Sequence, residues 1–150
     1  MIEIKSNPIG IVHSPYTKAE GTPIQPIQAK NNLAQIEIYE EFADGLKDLE
    51  LFSHIYVLFH LHKISKQLLK VTPFLDTKPH GVFATRSPGR PNQIGISVVG
   101  IEKIEGNIIF VKNIDMLDGS PVLDIKPYIP QFDLFPEASS GWYTKNNLST

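Results

Sequence analysis

The sequence has no cysteine, only two arginines and a single tryptophan among its 150 residues. The lack of cysteine excludes disulfides, thiolate nucleophiles and zinc sites built on cysteine. No apolar run approaches the roughly 20 residues that span a bilayer, and the N-terminus lacks the basic start and apolar stretch of a signal peptide. These absences predict a cytoplasmic protein with no membrane segment.

The formal net charge is −2 and the pI is about 6.2. A protein that grips duplex nucleic acid through many phosphates usually has a basic excess, so this balance argues against a broad nucleic-acid footprint. A local basic patch stays compatible with it. Twelve of the 14 basic residues are lysines scattered along the chain, whereas both arginines, Arg86 and Arg90, lie in one loop.

Short β-branched segments dominate the pattern. Strands are predicted at 8–13, around Ile36 and Ile38, and at 55–61, the last as a strand buried on both faces. Residues 94–104 and 108–114 are predicted to form a hairpin about the turn at 105–107. One short helix is predicted over 40–51, and 21–28 reads as a loop. With twelve prolines and no strand–GxGxxG–helix opening, the fold class is mainly β, a compact non-Rossmann barrel or sandwich with one or two short helices.

The chain contains no internal repeat or Gly/Ser linker. We therefore expect one β-domain over 1–138, followed by a polar and frayed C-terminal tail over 139–150.

The densest polar segment runs from 81 to 95, GVFATRSPGRPNQIG. A short strand over 82–84 is predicted to enter a loop that its prolines stiffen. Arg86 and Arg90 each present a planar fork of donors suited to carboxylate or phosphate. A stiff loop around two such forks favours an anion or nucleotide ligand, and the alternative is a structural loop whose arginines pair with surface carboxylates.

A second segment, 115–128, carries three carboxylates within ten residues. Asp118-Gly119 is typical turn chemistry. Asp115 is expected to close the hairpin strand and to present its carboxylate to a pocket. There it could bind a ribose hydroxyl, lie near a sulfonium or accept a proton from an amine under attack.

Two histidines, His60 and His62, lie two residues apart on a predicted strand, so they share one face and could ligate a metal. A third ligand with definite spacing is missing, so core or pocket histidines are the better interpretation and no metal is expected. Trp142 is expected to pack or to anchor a contact near the C-terminus.

Taken together, these motifs resemble the TrmO (TsaA-like, YaeB-like) family of methyltransferases over residues 9 to 133. The likeness rests on the Ile9-Gly10 to Tyr16 segment, on LELFSH at 49–54, and above all on the loop at 81–95 and DMLDGSPVLDIKPY at 115–128. The resemblance implies a β-barrel homodimer. It also implies that the protein binds S-adenosyl-L-methionine and methylates N6 of threonylcarbamoyl-adenosine at position 37, in the anticodon loop of tRNA.

The family's cofactor contacts fall on several separated segments of this sequence. They are Gln25, Pro26, Ile27, His62, Lys63, Arg86, Ile96, Lys112, Asn113, Ile114 and Asp115. Asp115 or Asp118 is the candidate catalytic proton acceptor, and Arg90 and Tyr128 are candidate substrate contacts, Arg90 toward a tRNA phosphate or the threonyl carboxylate. An anticodon loop presents unstacked bases, so such an enzyme needs few phosphate contacts.

Three features depart from the family pattern. Gln93 stands where the family usually has proline, and Ile24 stands where bacterial members often have arginine. The third departure is that the further C-terminal domain of many bacterial members is not expected in this protein. Two alternatives to the tRNA methyltransferase therefore stay open. One is a methyltransferase of the same fold acting on another nucleoside or small molecule, and the other is a non-catalytic module that senses S-adenosylmethionine or a nucleotide.

Overall fold

The computed structural model describes residues 1–17, 33–64 and 66–147, with the backbone alone for 145–147. The chain forms two compact units. The first comprises Met1–His62 and Gly95–Tyr128, and the second comprises Lys63–Ile94 and Ile129–Thr150. The loop predicted at 21–28 lies outside the described residues, and the predicted division at residue 138 stays a prediction.

Within the described residues, six strands close into an antiparallel barrel in the order β1-β2-β7-β6-β3-β8. The predicted mainly β, non-Rossmann barrel is thereby confirmed. The strands are β1 (Gly10–His13), β2 (Leu33–Ile38), β3 (His54–His60), β6 (Ile94–Glu105), β7 (Ile108–Lys112) and β8 (Pro121–Pro127).

Alternating side chains fill the barrel. Val12, Ile36, Val57 and Ile109 are fully buried, one on each of four strands. Successive strand residues point to opposite faces, so the period-2 pattern in the sequence is what builds this core. Closure between β1 and β2 depends on Gly10, because a Cβ there would lie 2.3 Å from the Glu37 carbonyl oxygen.

The predicted hairpin is confirmed as β6 and β7. Gly106 has a φ of +59°, which glycine adopts without strain, and it turns the chain within two residues between Glu105 and Ile108. The strand predicted at 55–61 is present as β3, but one of its faces is only half-buried: Ile55 and Val57 are fully buried, while Tyr56 and Leu58 are not.

The helix predicted over 40–51 is instead two 3-10 helices, Glu40–Leu46 and Leu49–Leu51. Asp48 separates them with a left-handed φ of +68°. Helical spacing of the apolar residues was the only signal available, and it does not distinguish one continuous helix from two tight turns that bury the same side chains.

The second unit is held by short elements: β4 (Lys70–Val71), β5 (His80–Gly81), two 3-10 helices (Val82–Ala84 and Pro91–Gln93), α1 (Pro130–Asp133) and α2 (Trp142–Asn147). The strand predicted at 82–84 was wrong, because these residues form a 3-10 turn that Thr85 caps by donating from Oγ1 to the Val82 carbonyl, 2.8 Å. No helix among the described residues is long and apolar enough to cross a bilayer.

The C-terminal segment is anchored to this unit through Trp142. Its indole Nε1 donates to the Ala84 carbonyl at 2.7 Å, and its ring stacks on His80 with centroids 5.1 Å apart and an interplanar angle of 17°. His80 is in turn hydrogen-bonded to Asp76. The backbone of 142–147 is helical, and its first residue makes these contacts. The polar, frayed tail expected over 139–150 stays a prediction.

Candidate active site

Asp115 lies on the segment that leaves β7. The prediction that Asp115 closes the strand was wrong, since β7 ends at Lys112. Asn113 follows with a φ of +63°, a left-handed conformation that asparagine tolerates better than most residues, and it turns the chain away from the ladder. Ile114 is then fully buried in the core, and Asp115 is half-buried beside β6.

The Asp115 carboxylate is held by Ser97, whose Oγ donates to Oδ1 at 2.7 Å. Ser97 is only 3% exposed while Asp115 is half-buried, so the bond is partly buried, and it fixes the position of the carboxylate. A carboxylate has two oxygens and about four lone-pair sites, and the bond from Ser97 uses one of those sites.

Asp118 bonds to the backbone of the segment that follows β1. Its Oδ1 accepts from the Ser14 N–H at 3.0 Å, and its own N–H donates to the Tyr16 carbonyl at 2.7 Å. Gly119, with a φ of +80°, completes the turn predicted at Asp118-Gly119. These bonds tie the 115–120 segment to the end of β1 and assign Asp118 a clear structural task.

His62 lies beside the same turn. A Cβ built on Gly119 would be 3.8 Å from His62 Nε2. His62 follows the last residue of β3 in a turn, so the predicted sharing of one strand face by His60 and His62 was wrong. Within the described ranges, no three of the residue types that ligate metals are grouped closely enough to hold an ion.

Ile96 precedes Ser97 on β6 and is 47% exposed. Because neighbours on a strand face opposite ways, Ile96 points away from the side on which Ser97 meets Asp115. One end of the first unit thus brings together His62, Asn113, Asp115 and the Asp118-Gly119 turn.

Tyr128 lies at the other end of that unit. Its N–H donates to the His54 carbonyl where β3 begins, and its ring packs against Tyr56 with centroids 5.6 Å apart. The seven residues of β8 separate it from the Asp118 turn, a distance of about 23 Å at the usual rise per residue. The structure does not bring Tyr128 to the predicted catalytic carboxylates.

A cleft of about 550 Å³ opens near Tyr128's end of the first unit. None of the predicted site residues lines it. Its walls are mainly apolar, with carboxylates at the rim and few donors, so its chemistry suits the predicted ligand less well than the Asp115 end does. The lining residues are Ile9, Ile38, Glu41, Phe42, Asp44, Gly45, Leu46, Lys47, Asp48, Leu49, Phe52, Asp124, Ile125 and Pro127.

Lys63, Arg86 and Arg90 belong to the second unit. Arg90 braces its own loop, because Nη1 donates to the carbonyls of Thr85 (2.8 Å) and Ser87 (3.2 Å). Arg86 is exposed. The predicted pairing of these guanidinium groups with Asp115 around one ligand stays a prediction.

Gln93, one of the departures from the family pattern, bonds within the second unit. Its side-chain amide donates to the Ile64 carbonyl, and its φ is +49°. A proline, with φ fixed near −65°, could not adopt this backbone. A proline would restrict the backbone at this position. Gln93 instead stabilises the loop through its side-chain bond to the segment around Ile64.

Two residues that matter here were not predicted. Ser97 was missed, although a lone small polar residue in the β-branched run from 94 to 99 was a usable signal. Ser14 lies in the segment that carries part of the family likeness but was assigned no role of its own, yet its Oγ donates to the Met116 carbonyl at 2.7 Å. The predicted contacts Gln25, Pro26 and Ile27, like Ile24, lie outside the described residues.

The tRNA-methyltransferase O N-terminal domain family matches residues 11–134 of this chain, which include Ser14, Ser97 and Asp115. The chain belongs to this family. The resemblance read from the motifs at 81–95 and 115–128 is thereby confirmed.

Relatives in the TrmO family extend the comparison. A probable S-adenosyl-L-methionine-binding protein of Pyrococcus abyssi is 48% identical over 139 residues, covering 93% of this chain and 76% of that protein. The human tRNA (adenine(37)-N6)-methyltransferase is 40% identical over 135 residues, covering 85% of this chain and 31% of the enzyme.

Among solved structures, TrmO from Pseudomonas aeruginosa superposes with a TM-score of 0.81 at 36% identity, covering 94% of this chain and 63% of that one. This chain thus spans about a third of the human relative's length and under two thirds of the bacterial one. The shared part is the barrel fold with the segments that carry Ser97 and Asp115.

Proposed function

We propose that this chain is an S-adenosyl-L-methionine-dependent methyltransferase that modifies N6 of the adenine beside the tRNA anticodon, with threonylcarbamoyl-adenosine as the target nucleoside. The observation that carries the proposal is the family match over 124 residues, which extends through the segment that positions Asp115. The archaeal relatives named for S-adenosylmethionine binding and the mammalian relatives named for adenine-37 methylation support the two halves of the proposal.

The chemistry of the first unit fits the cofactor. S-Adenosylmethionine presents ribose hydroxyls, an adenine ring, an amino acid end and a positive sulfonium. The Asp115 carboxylate, fixed by Ser97, can accept from a hydroxyl or lie near the cation. The left-handed turn at Asn113 and the His62 ring beside Gly119 offer further polar groups at the same end.

When bound, S-adenosylmethionine supplies an electrophilic methyl group for in-line displacement, which makes positioning a large part of the rate. The N6 of a carbamoylated adenine is a weak nucleophile because its lone pair is delocalised. Asp115 accepts the N6 proton and so raises the reactivity of that nitrogen. Asp118 likewise has one oxygen engaged, by the Ser14 amide, as Asp115 has one engaged by Ser97, so separate substitution of each residue decides which carboxylate accepts the proton.

The direct test incubates purified protein with methyl-labelled S-adenosylmethionine and tRNA that carries threonylcarbamoyl-adenosine. Label should appear at the adenosine beside the anticodon and be absent from the same tRNA lacking the carbamoyl group. Because a ligand that binds only the folded state raises its melting temperature, S-adenosylmethionine alone should also stabilise the protein. No label in either tRNA would refute the assignment.

A second candidate is a module that binds S-adenosylmethionine without transferring its methyl group. The names of the archaeal relatives, which state binding alone, favour it. Thermal stabilisation by the cofactor without label transfer to any tRNA or nucleoside pool is its expected signature.

The proposed enzyme works as a cytoplasmic homodimer. Family membership supports the dimer, and light scattering on the purified chain tests it, with a mass of about twice 16.8 kDa expected.

A further inference from the structure

Charge is divided very unevenly between the two units. The second unit holds seven of the 14 basic residues but only three of the 16 acidic residues, so its net charge is +4 while that of the first unit is −6. The overall charge of −2 conceals this division. A polyanion would be attracted to the second unit and repelled by the first.

Four of the seven basic residues of the second unit lie on two segments that run side by side: Lys66, Lys70, Arg86 and Arg90. Lys70 pairs with Gly81 in the β4–β5 ladder, and the Leu68 N–H donates to the Gly89 carbonyl at 2.9 Å. Gly89 also approaches Lys66 so closely that a Cβ on it would lie 2.8 Å from the Lys66 carbonyl oxygen. Lys66 is thereby placed beside the Arg86–Arg90 loop, and the chain around Lys70 beside the turn at 82–84.

An exposed aromatic ring lies at the same place. Phe83 is 78% exposed on the 3-10 turn, whose Val82 N–H donates to the Leu69 carbonyl at 2.8 Å. The backbone of this turn is fixed from a second direction by the indole of Trp142, which bonds to Ala84. Leu69, whose carbonyl accepts the bond from Val82, is itself 71% exposed, so two exposed apolar residues lie here on neighbouring segments that also carry lysines. Contiguous exposed apolar surface of this kind, unlike a single scattered residue, indicates a binding site.

We propose that Phe83, Lys66 and Lys70 form a docking surface for single-stranded RNA, on which Phe83 stacks an unpaired base and the two lysines contact phosphates. The combination of an aromatic platform with flanking cations is the usual chemistry of single-strand recognition. Self-association through this same surface on both copies suits it less well, because it would bring two units of charge +4 together. The proposal rests on the proposed function and assigns the anticodon loop to this surface.

The stacking claim is tested with three variants of one residue. Binding of a fluorescein-labelled anticodon stem-loop RNA is measured by anisotropy for Phe83→Tyr, Phe83→Leu and Phe83→Ala. Tyrosine keeps an aromatic face and should bind within about twofold of the unmodified protein. Leucine and alanine should each weaken binding by roughly 5- to 100-fold, the range for losing one stacked base. Equal affinity of all three variants, with unchanged melting temperatures, would overturn the proposal.

The phosphate claim is tested by the salt dependence of the same binding. The double variant Lys66→Gln/Lys70→Gln should reduce the slope of log K against log salt by about 1.4, since each single-strand phosphate contact contributes about 0.7. The matched control is Lys103→Gln/Lys126→Gln, which removes two exposed lysines of the first unit that pair with Glu105 and Asp124. An equal change of slope in both double variants would contradict the assignment to the second unit.

Two further measurements separate this proposal from its alternatives and from the proposed function. If Phe83→Leu keeps wild-type RNA affinity while Phe83→Ala changes the mass found by light scattering, the surface is a self-association site and the RNA assignment is wrong. If the unmodified protein methylates tRNA while every variant binds and methylates as well as it does, only the docking surface is refuted. If the unmodified protein is stabilised by S-adenosylmethionine but neither binds nor methylates tRNA, the tRNA substrate itself is refuted.

Discussion

Ser97 on β6 donates to Asp115 beyond the end of β7 across 2.7 Å, with the serine side chain almost wholly buried. This bond joins β6 to the segment that follows β7, its hairpin partner. The bond therefore fixes the position of a carboxylate that lies outside the strands. The proposed chemistry depends on that position.

Substituting Asp115→Asn should lower kcat by roughly 10²- to 10⁴-fold, because asparagine keeps the shape but cannot take up the N6 proton. Single-turnover methyl transfer measures the chemical step. The matched control is Asp124→Asn, a carboxylate on β8 whose side chain is 49% exposed and which pairs with Lys126. A kcat loss of less than threefold in Asp115→Asn would remove this carboxylate from the mechanism.

At Asp118 the substitutions to asparagine and to alanine should behave differently. Asp118→Asn keeps an oxygen to accept from the Ser14 amide, so stability and kcat should stay close to those of the unmodified protein. Asp118→Ala leaves that amide without its acceptor and should reduce the free energy of unfolding by about 1–2 kcal/mol. Urea denaturation and kcat measure the two effects. A large kcat loss in Asp118→Asn at full stability would make Asp118 the proton acceptor.

Gly119→Ala is expected to cost about 1–2 kcal/mol in the free energy of unfolding, because its φ of +80° disfavours any Cβ. The new methyl group would meet His62 only at ordinary contact distance, so the cost comes from the backbone. Gly45→Ala is the control. Nothing lies within 4 Å of its Cβ, and its φ lies outside the left-handed range, so stability should be unchanged or slightly raised. Equal losses in both variants would contradict the backbone explanation.

Replacing Trp142 with phenylalanine should loosen the second unit. Phenylalanine retains a ring to stack on His80 but loses the N–H that bonds to the Ala84 carbonyl, at a cost of about 1 kcal/mol. Hydrogen exchange should quicken at the amides of 82–90, with the barrel strands unaffected. Faster exchange throughout the barrel would show that the two units are more strongly coupled than this bond implies.

The barrel was predictable because its signals are local. The alternation around Ile36 and the Glu105-Gly106-Asn107 turn each determine a strand or hairpin without reference to distant residues. The 3-10 turns were not predictable to the same degree. The break at Asp48 and the turn at 82–84 arise from positive φ or from bonds to distant segments, which residue spacing does not reveal.

The candidate site was predictable only in part. The motif around Asp115 marked the correct segment, yet its partner Ser97 lies 18 residues earlier and meets it only after the hairpin forms. The division of charge between the units is partly visible in the sequence, because the continuous segment 63–94 holds six of the seven basic residues of the second unit and only one of its three acidic residues. The close approach of Gly89 to Lys66 within that segment is what folding adds.

Trp142 has a practical consequence. It is the only tryptophan of the sequence, and it belongs to the second unit. Tryptophan fluorescence therefore reports on the second unit and carries no signal from the barrel. Quenching of the Trp142 fluorescence on titration with RNA would therefore report docking at the second unit. The thermal unfolding curve followed by this fluorescence can also be compared with the curve followed by far-ultraviolet circular dichroism of the strands. The comparison shows whether the protein unfolds in one transition or in two.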